Sequence, residues 1–322
     1  MFSAKSIMIM TKDTKKKNEK MAVGGQAVIE GVMMRSMNRI SLAVRKPDNE
    51  IEVQGWSFEP YSKRNKIMGI PIIRGFVNMV EMLYWGIKTL ELSAQIASGE
   101  DTRKPSIASK IWGGLSLIIG LAIGIALFAF SPLWISGLLG FRENPFLFNL
   151  FAGAIRVVLF MSYLLAISQM KDIKRLFRYH GAEHKTIHAF EKGEPLIPER
   201  VQKYSTFHPR CGTSFILITA LAAIFFFAFV DGFIYLIWSY APKALVRLPI
   251  HLALLPLLAG VSYELLKLSA KLSQKSKIVA FLVSPGLWLQ KITTKQPDES
   301  MLEVAIAALM DSIQDITIGD KN

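Results

Sequence analysis

The sequence predicts an α-helical polytopic membrane protein with about four transmembrane helices, a small cytoplasmic β-element and amphipathic or re-entrant helices. Hydrophobic residues make up 51% of the 322 residues, and the mean hydropathy is +0.33. These apolar residues are concentrated in long blocks, whereas charged residues lie mainly between the blocks and at the two ends. A soluble domain distributes its apolar residues with helical or strand periodicity instead, so the blocks favour membrane spans.

Four apolar blocks are long enough to be spans, because about 20 apolar residues cross a bilayer as a helix. They are residues 112–141, 145–170, 211–240 and 248–266. The first contains no charged residue, while the second and third carry Arg156 and Asp231. The fourth is shorter and is interrupted by Pro249 and Pro256. Four spans place both termini on the same side of the membrane.

Lysine and arginine indicate which side faces the cytoplasm. The loop between the second and third spans carries Lys171, Lys174, Arg175, Arg178, Lys185, Lys192, Arg200, Lys203 and Arg210. The short loop around Arg142 is nearly neutral. Because cytoplasmic loops are enriched in these residues, we expect the basic loop and both termini to face the cytoplasm. The predicted location is therefore a cytoplasmic membrane, crossed several times.

The segments before and after the spans have their own patterns. Residues 39–46 and 51–58 alternate apolar and polar residues on either side of a short turn, with a slip of phase at Gly55, which predicts a β-hairpin. In residues 69–97, Arg74, Glu81 and Lys88 recur on one stripe of an otherwise apolar helix, which predicts an interfacial helix. A final helix over residues 298–312 begins with acidic residues.

These patterns divide the chain into five predicted regions. They are a disordered basic tail (1–20), a cytoplasmic β-element (21–66), an amphipathic helix with a linker (67–110), a four-span membrane domain containing a histidine-rich loop at 171–212 (111–266), and a re-entrant or interfacial segment followed by the C-terminal helix (267–322). The formal net charge of +13 is spread over the segments flanking the spans. This distribution suits anionic lipid head groups, and no basic stretch interleaved with aromatics predicts nucleic-acid binding.

The histidine-rich loop is the best candidate for chemistry. His180 and His184 are four residues apart, so on a helix they share a face and can bind one metal ion. Glu183, between them, completes the H-x-x-E-H order of inverted zinc proteases, in which the glutamate acts as general base. The predicted cofactor is a divalent metal ion, with zinc favoured by imidazole and thiolate donors.

A further ligand must come from elsewhere in the chain, and His208 and Cys211 in the same loop are the nearest candidates. His188 is less suitable, since eight residues of helix place it about 12 Å from His180. Three ligands leave an open position for a water that Glu183 can activate, whereas four ligands form a closed structural site. Arg210 would stabilise an oxyanion in the first case.

Several titratable residues outside the histidine-rich loop also suggest hypotheses. Topology places His251 on the outer side, so we interpret it as an interfacial histidine, while Glu264 could reach the metal or its ligands from the inner end of the fourth span. Arg156 and Asp231 could form an ion pair inside the membrane. Glu30 and Arg35, in a glycine-containing segment, would be site residues only if that segment folds back against the histidine-rich loop.

Four motifs occur in order along the chain: GGQAVIEGVMMR, YHGAEHKTIHAFE, HPRCGTSF and ELLKLSAK. Together they resemble the YqhQ-like family of bacterial membrane proteins over residues 23–309. The resemblance implies a bacterial inner-membrane location and the family's description as predicted metal-dependent enzymes. That description rests on the same histidine motif, so it adds no independent evidence of an activity.

Three functional hypotheses follow. The first is a metal-dependent hydrolase with His180, His184 and His208 on zinc, Glu183 as base and a membrane-proximal substrate. The alternative is a non-catalytic membrane factor in which Cys211 completes a structural metal site and the cytoplasmic β-element binds a protein partner. The second alternative is a small transporter built around Arg156 and Asp231.

Overall fold

The computed structural model describes residues 23–99, 107–208, 211–239, 243–272 and 276–314. The predicted basic tail at 1–20 and the predicted catalytic residue Arg210 lie outside these residues. Within them the chain is mostly helical, with one small antiparallel sheet. The coarse fold class predicted from the sequence is therefore confirmed: apolar helices combined with a small β-element.

The strands form a four-stranded meander in the order β1-β2-β3-β4. They are β1 (Gly24–Val28), β2 (Gly31–Arg35), β3 (Arg39–Arg45) and β4 (Ile51–Ser57). The helices are α1 (Tyr61–Arg64), α2 (Ile73–Ser98), α3 (Ile107–Gly124), α4 (Ser131–Leu138), α5 (Pro145–Ile167), α6 (Lys171–Glu191), α7 (Pro198–Val201), α8 (Gly212–Trp238), α9 (Ala244–Ala253), α10 (Leu255–Leu272), α11 (Lys277–Thr293) and α12 (Glu299–Ser312). A π-helical segment, Ile125–Phe130, joins α3 to α4.

The predicted hairpin is confirmed by the pairing of β3 with β4, from Arg39 opposite Ser57 to Arg45 opposite Ile51. The pairing continues through Gly55 without a bulge. A Cβ atom on Gly55 would lie 2.2 Å from the Arg39 guanidinium and 2.5 Å from Asp311 Oδ2. The ion pair between Arg39 and Asp311, 3.0 Å apart, therefore crosses the strand where the apolar alternation slips.

The sheet is covered on both faces, and β3 is buried along its centre. One cluster packs Val32, Met34 and Ala43 of the sheet against α6 and α12. The other packs the opposite face against Ile96 and its neighbours in α2. Asp298 caps α12 by accepting the Met301 N–H at 3.0 Å, which agrees with the acidic start predicted for that helix. The first strands and the last helix thus share one core with α6.

Among the residues that the structure describes, three helical segments are long and apolar enough to cross a membrane: Gly113–Leu138, Pro145–Ile167 and Thr219–Trp238. A fourth is a pair of helices, Ala244–Ala253 and Leu255–Leu268, bent by 56°. The fourth predicted span is therefore not one straight helix. Pro256 lies two residues after Leu254, the residue between the two helices, and its missing N–H and ring prevent α9 from continuing unbent into α10.

The predicted ion pair between Arg156 and Asp231 is wrong. Arg156 Nε instead donates to the Phe128 carbonyl at 2.8 Å. That carbonyl belongs to the π-helical segment, in which the backbone hydrogen bonds have a different spacing from those of an α-helix. A carbonyl oxygen there can therefore accept a hydrogen bond from a side chain. The ion pair was the alternative to a transport path through Arg156 and Asp231, and the transporter hypothesis itself stays a prediction.

Asp231 lies in a different polar cluster, buried between α5, α8 and α9. Its carboxylate accepts a 2.8 Å hydrogen bond from Asn149 Nδ2 and lies 3.1 Å from both Arg247 Nη1 and His251 Nε2. Arg247 and His251 are one helical turn apart, so both reach the same carboxylate. The interpretation of His251 as an interfacial residue is wrong, because its ring is 5% exposed and stacks on Phe227.

Glu264 does not approach the histidines. It forms a bidentate ion pair with Arg74 of α2, with the shortest distance 2.7 Å. A Cβ atom on Gly260 would lie 2.3 Å from the Ile72 carbonyl oxygen, so α10 approaches the start of α2 closely there. The suggestion that Glu264 serves the metal site is therefore wrong, and the glutamate fixes α2 to α10 instead.

Candidate metal centre

Helix α6 carries the histidine motif and runs without a break from Lys171 to Glu191. His180 and His184 therefore share a face, with ring centroids 4.4 Å apart. Gly181 does not interrupt the helix. A Cβ atom at that position would lie 2.0 Å from the Lys295 carbonyl oxygen, so the glycine permits the chain after α11 to cross the motif.

Backbone carbonyls orient both imidazoles. His180 Nδ1 lies 2.8 Å from the Thr293 carbonyl oxygen, and His184 Nδ1 lies 2.5 Å from that of Thr206. A carbonyl can only accept, so each Nδ1 carries the proton and each neutral ring keeps a lone pair on Nε2. Burial lowers the pKa of His180 and lowers that of His184 to about 2, which keeps both rings neutral. This arrangement is typical of histidines that bind metals.

Cys211 completes a group of three donors. Its Sγ atom lies 3.3 Å from His180 Nε2, and the ligand atoms of His180, His184 and Cys211 all lie within 4.8 Å of one another. His184 Nε2 is buried and has no hydrogen-bond partner among the residues that the structure describes. Two imidazoles and a thiol match the donor types of zinc sites, and three protein ligands leave a fourth position open.

Glu183 lies beside this group in a buried position, 5% exposed. Its Oε2 atom is 3.8 Å from His180 Nε2. Burial raises the pKa of Glu183 to about 8, and a hydrogen bond from the Gly25 N–H opposes the shift. This pKa is that of the metal-free site, and a cation bound beside the carboxyl group would lower it. The position of the carboxyl group next to the ligands is what suits it to act as a general acid or base.

The glycine segment folds back onto α6, as the hypothesis for Glu30 required. A Cβ atom on Gly25 would lie 2.9 Å from Glu183 Cγ and 2.6 Å from the Met33 carbonyl oxygen, so only glycine fits. Glu30, at the turn between β1 and β2 with φ 53°, forms an ion pair with Arg175 and accepts a 3.2 Å hydrogen bond from the Tyr179 hydroxyl. It anchors the segment and does not reach the metal ligands.

Arg35, the other residue proposed from this segment, lies on the far side of the sheet. Its guanidinium carbon is 4.3 Å from the Phe58 ring centroid. Burial lowers its pKa. It contacts α2 rather than the histidines.

His208 joins a neighbouring group rather than the one predicted for it. The ligand atoms of His188, Glu191 and His208 lie within 4.8 Å of one another. His208 Nε2 is 3.4 Å from Glu191 Oε1, and the rings of His188 and His208 are 4.6 Å apart. The separation of His188 from His180 agrees with the helical distance argument, because the two histidines belong to different groups.

Sequence reasoning did not identify Gly25 or Glu191 as site residues. Glu191 follows His188 by three residues, a spacing that places both side chains on one helix face, so this signal was available. Gly25 lies in the glycine-containing segment, and a glycine permits close backbone approach, but which residue it meets depends on β1 packing against α6. The carbonyl acceptors Thr206 and Thr293 are backbone groups that no side-chain pattern identifies.

Comparisons with known proteins agree on a family without an assigned activity. Residues 70–315 match the family described as "Protein of unknown function (DUF1385)". The chain is also 33% identical over 315 residues to "Uncharacterized protein YqhQ" of Bacillus subtilis (strain 168). The aligned region covers 94% of this chain and 95% of that protein. No solved structure matches the chain.

Proposed function

Because this chain belongs to the DUF1385 family of YqhQ-like proteins of unknown function, we propose its activity from the geometry, as a membrane-embedded, metal-dependent hydrolase. The observation that carries this proposal is the group formed by His180, His184 and Cys211, whose ligand atoms lie within 4.8 Å of one another, with Glu183 Oε2 3.8 Å from His180 Nε2. Three ligands and an adjacent carboxylate are the components of a hydrolytic zinc centre.

Each residue has a proposed role. His180, His184 and Cys211 hold the ion, and zinc would polarise the scissile bond and supply an activated water. Glu183 takes the proton from the attacking water and returns it to the leaving group. The Gly25 N–H holds the carboxyl group in place through its hydrogen bond. Arg210, one residue before Cys211 in the chain, is proposed to stabilise the oxyanion.

We further propose that the three apolar segments and the bent pair cross the cytoplasmic membrane, with the site on the cytoplasmic side. The lysine and arginine residues of the loop around α6 and α7 support this orientation. Helix α2 supports a membrane-proximal site, because it presents exposed apolar side chains: Val80, Leu83, Tyr84, Ile87 and Leu90. The substrate is therefore proposed to be lipid-linked or a peptide close to the membrane.

The test is metal analysis of the purified full-length protein together with complementation of a deletion strain. We expect Glu183→Gln to retain the metal and lose complementation, because the amide keeps the shape and cannot transfer the proton. His184→Ala should lose both. Glu199→Gln, an exposed carboxylate in α7, is the matched control and should behave as the wild type.

A Glu183→Gln protein that complements fully, beside an unstable and metal-free His184→Ala protein, would contradict catalysis. That result would favour the alternative, a structural metal site in a non-catalytic membrane factor. Absence of metal from the wild-type protein would remove both metal hypotheses.

A further inference from the structure

We propose that His188, Glu191 and His208 bind a second divalent transition-metal ion, next to the first group. The inference goes beyond the proposed function, because it holds whether the first site is catalytic or structural. It assigns a ligand to three side chains that the hydrolytic mechanism does not use.

The three donors already converge. One ligand atom of each lies within 4.8 Å of the other two. His208 Nε2 and Glu191 Oε1 are 3.4 Å apart, close to the separation of two donors that share one ion at about 2.0–2.2 Å each. His188 and Glu191 lie one turn apart on α6, and His208 approaches from the facing segment before α8.

The surroundings hold these donors in position. His188 Nε2 lies 2.8 Å from the Phe207 carbonyl oxygen, so this nitrogen carries the proton in the neutral ring and the contact fixes the orientation of the imidazole. The Gln290 side chain of α11 makes two hydrogen bonds to the backbone of His208. Its Oε1 accepts from the His208 N–H at 2.8 Å, and its Nε2 donates to the His208 carbonyl oxygen at 2.9 Å. His208 itself is 3% exposed.

The two groups are adjacent, and each takes its possible ligands from the same two parts of the chain. Helix α6 supplies two residues to each, and the facing segment supplies Cys211 to the first and His208 to the second. The rings of His184 and His208 are 5.7 Å apart, so the two groups are in contact. His208 and Cys211, three residues apart in the chain, therefore each complete one group.

The donor chemistry of the groups differs. The second group contains two imidazoles and a carboxylate, a set found in zinc enzymes and in non-haem iron sites, and it has no thiol. The first contains a thiol, which favours softer ions. A metal with a thiolate-specific signal can therefore separate them.

The experiment is a Co²⁺ titration of the full-length protein in detergent after chelator treatment. We expect two equivalents per chain, of which one produces a near-ultraviolet thiolate charge-transfer band and the other only visible ligand-field bands. His188→Ala and Glu191→Gln should each bind one equivalent and keep the thiolate band. His180→Ala should lose that band and keep one equivalent, and Glu199→Gln should bind two.

Several outcomes are decisive. One equivalent in the wild type, unchanged in His188→Ala and Glu191→Gln, would overturn the second site and leave the proposed function standing, with Glu191 and His208 forming an ordinary polar contact. Loss of an equivalent in Glu191→Gln without any thiolate band in the wild type would support the second site and contradict the first. Far-ultraviolet circular dichroism verifies that each variant is folded, and Glu191→Gln keeps the shape of the native side chain.

Discussion

Gly25 and Glu183 are in contact although they lie in distant parts of the chain, and the missing side chain of one makes room for the other. The Gly25 N–H donates to the Glu183 carboxyl group. A Cβ atom on Gly25 would lie 2.6 Å from the Met33 carbonyl oxygen, whereas one on Gly24 would meet nothing within 4 Å. Two adjacent glycines thus have very different tolerance for a methyl group.

We expect Gly25→Ala to destabilise the protein by about 1–3 kcal/mol, the usual cost of overpacking, and to impair complementation by displacing Glu183. Gly24→Ala is the matched control and should change the stability little. Thermal unfolding in detergent measures both variants. Equal melting temperatures for the two variants would contradict the close packing of β1 against α6.

The titration of Glu183 predicts a pH dependence in the chelator-treated protein. Burial raises its pKa from 4.5 to about 8. The corresponding stability is fully present below pH 4.5 and is lost as the pH rises through about 8, because only the unfolded chain ionises freely between these values. Glu183→Gln does not titrate, so the wild-type melting temperature should fall relative to that of the variant over this range.

Glu199→Gln is the control for this comparison and should follow the wild type at every pH. The buried histidines titrate in the opposite sense, since burial lowers the pKa of His184 and His208. They are present in all three proteins, so their effect cancels in the difference. Parallel curves for wild type and Glu183→Gln would show that the carboxyl group is not buried as described.

At the scale of elements, the buried polar side chains of α6 and those of α8 have different partners. In α6 the rings of His180 and His184 hydrogen-bond to backbone carbonyls through Nδ1, and both side chains belong to a group of possible metal ligands. In α8 the buried Asp231 is satisfied by Asn149, Arg247 and His251. The cluster around Asp231 joins α5, α8 and α9 and is suited to holding α9 at its angle to α10.

We expect Asp231→Asn to destabilise the protein by about 3–5 kcal/mol, because it removes the negative partner of the buried Arg247. Gly232→Ala, the neighbouring control, should be near neutral, since its added Cβ meets nothing within 4 Å. Thermal unfolding in detergent again provides the measurement. A stable Asp231→Asn protein would indicate that Arg247 is compensated by other groups.

At the scale of the whole molecule, the proposed orientation predicts which surfaces are accessible from outside the cell. Glu143, in the turn before α5, should face outwards, and Glu199, in α7, should face the cytoplasm. A membrane-impermeant maleimide added to intact cells should label Glu143→Cys and not Glu199→Cys, while permeabilised cells should show both. Native Cys211 is 6% exposed and forms a common background. The reverse labelling pattern would contradict the orientation.

The elements that the sequence predicted well are those set by local patterns. Hydropathy over about 20 residues is sufficient to identify an apolar helix, so three candidate spans agree with the structure. Alternation identified the hairpin of β3 and β4, and the four-residue spacing placed His180 and His184 on one face. Each of these properties depends on residues close together in the chain.

The sequence did not predict which distant residues meet. Hydropathy predicted spans without indicating that Asp231 faces Arg247 and His251 rather than Arg156. The spacing of the histidines did not show that His208 lies beside Glu191, or that Cys211 lies beside His180 and His184. These choices depend on how helices pack against each other, and packing is decided by the shapes of many side chains at once.

By itself, therefore, the sequence determined the family, the apolar helices, the hairpin of β3 and β4 and a helical histidine face beside Glu183. Only the tertiary structure decided that β1 covers Glu183 through Gly25, that α6 and α12 share a core with the sheet, and that the donors form two groups instead of one. The physical reason is that local periodicity fixes the face on which a side chain lies, whereas long-range packing fixes what that face meets.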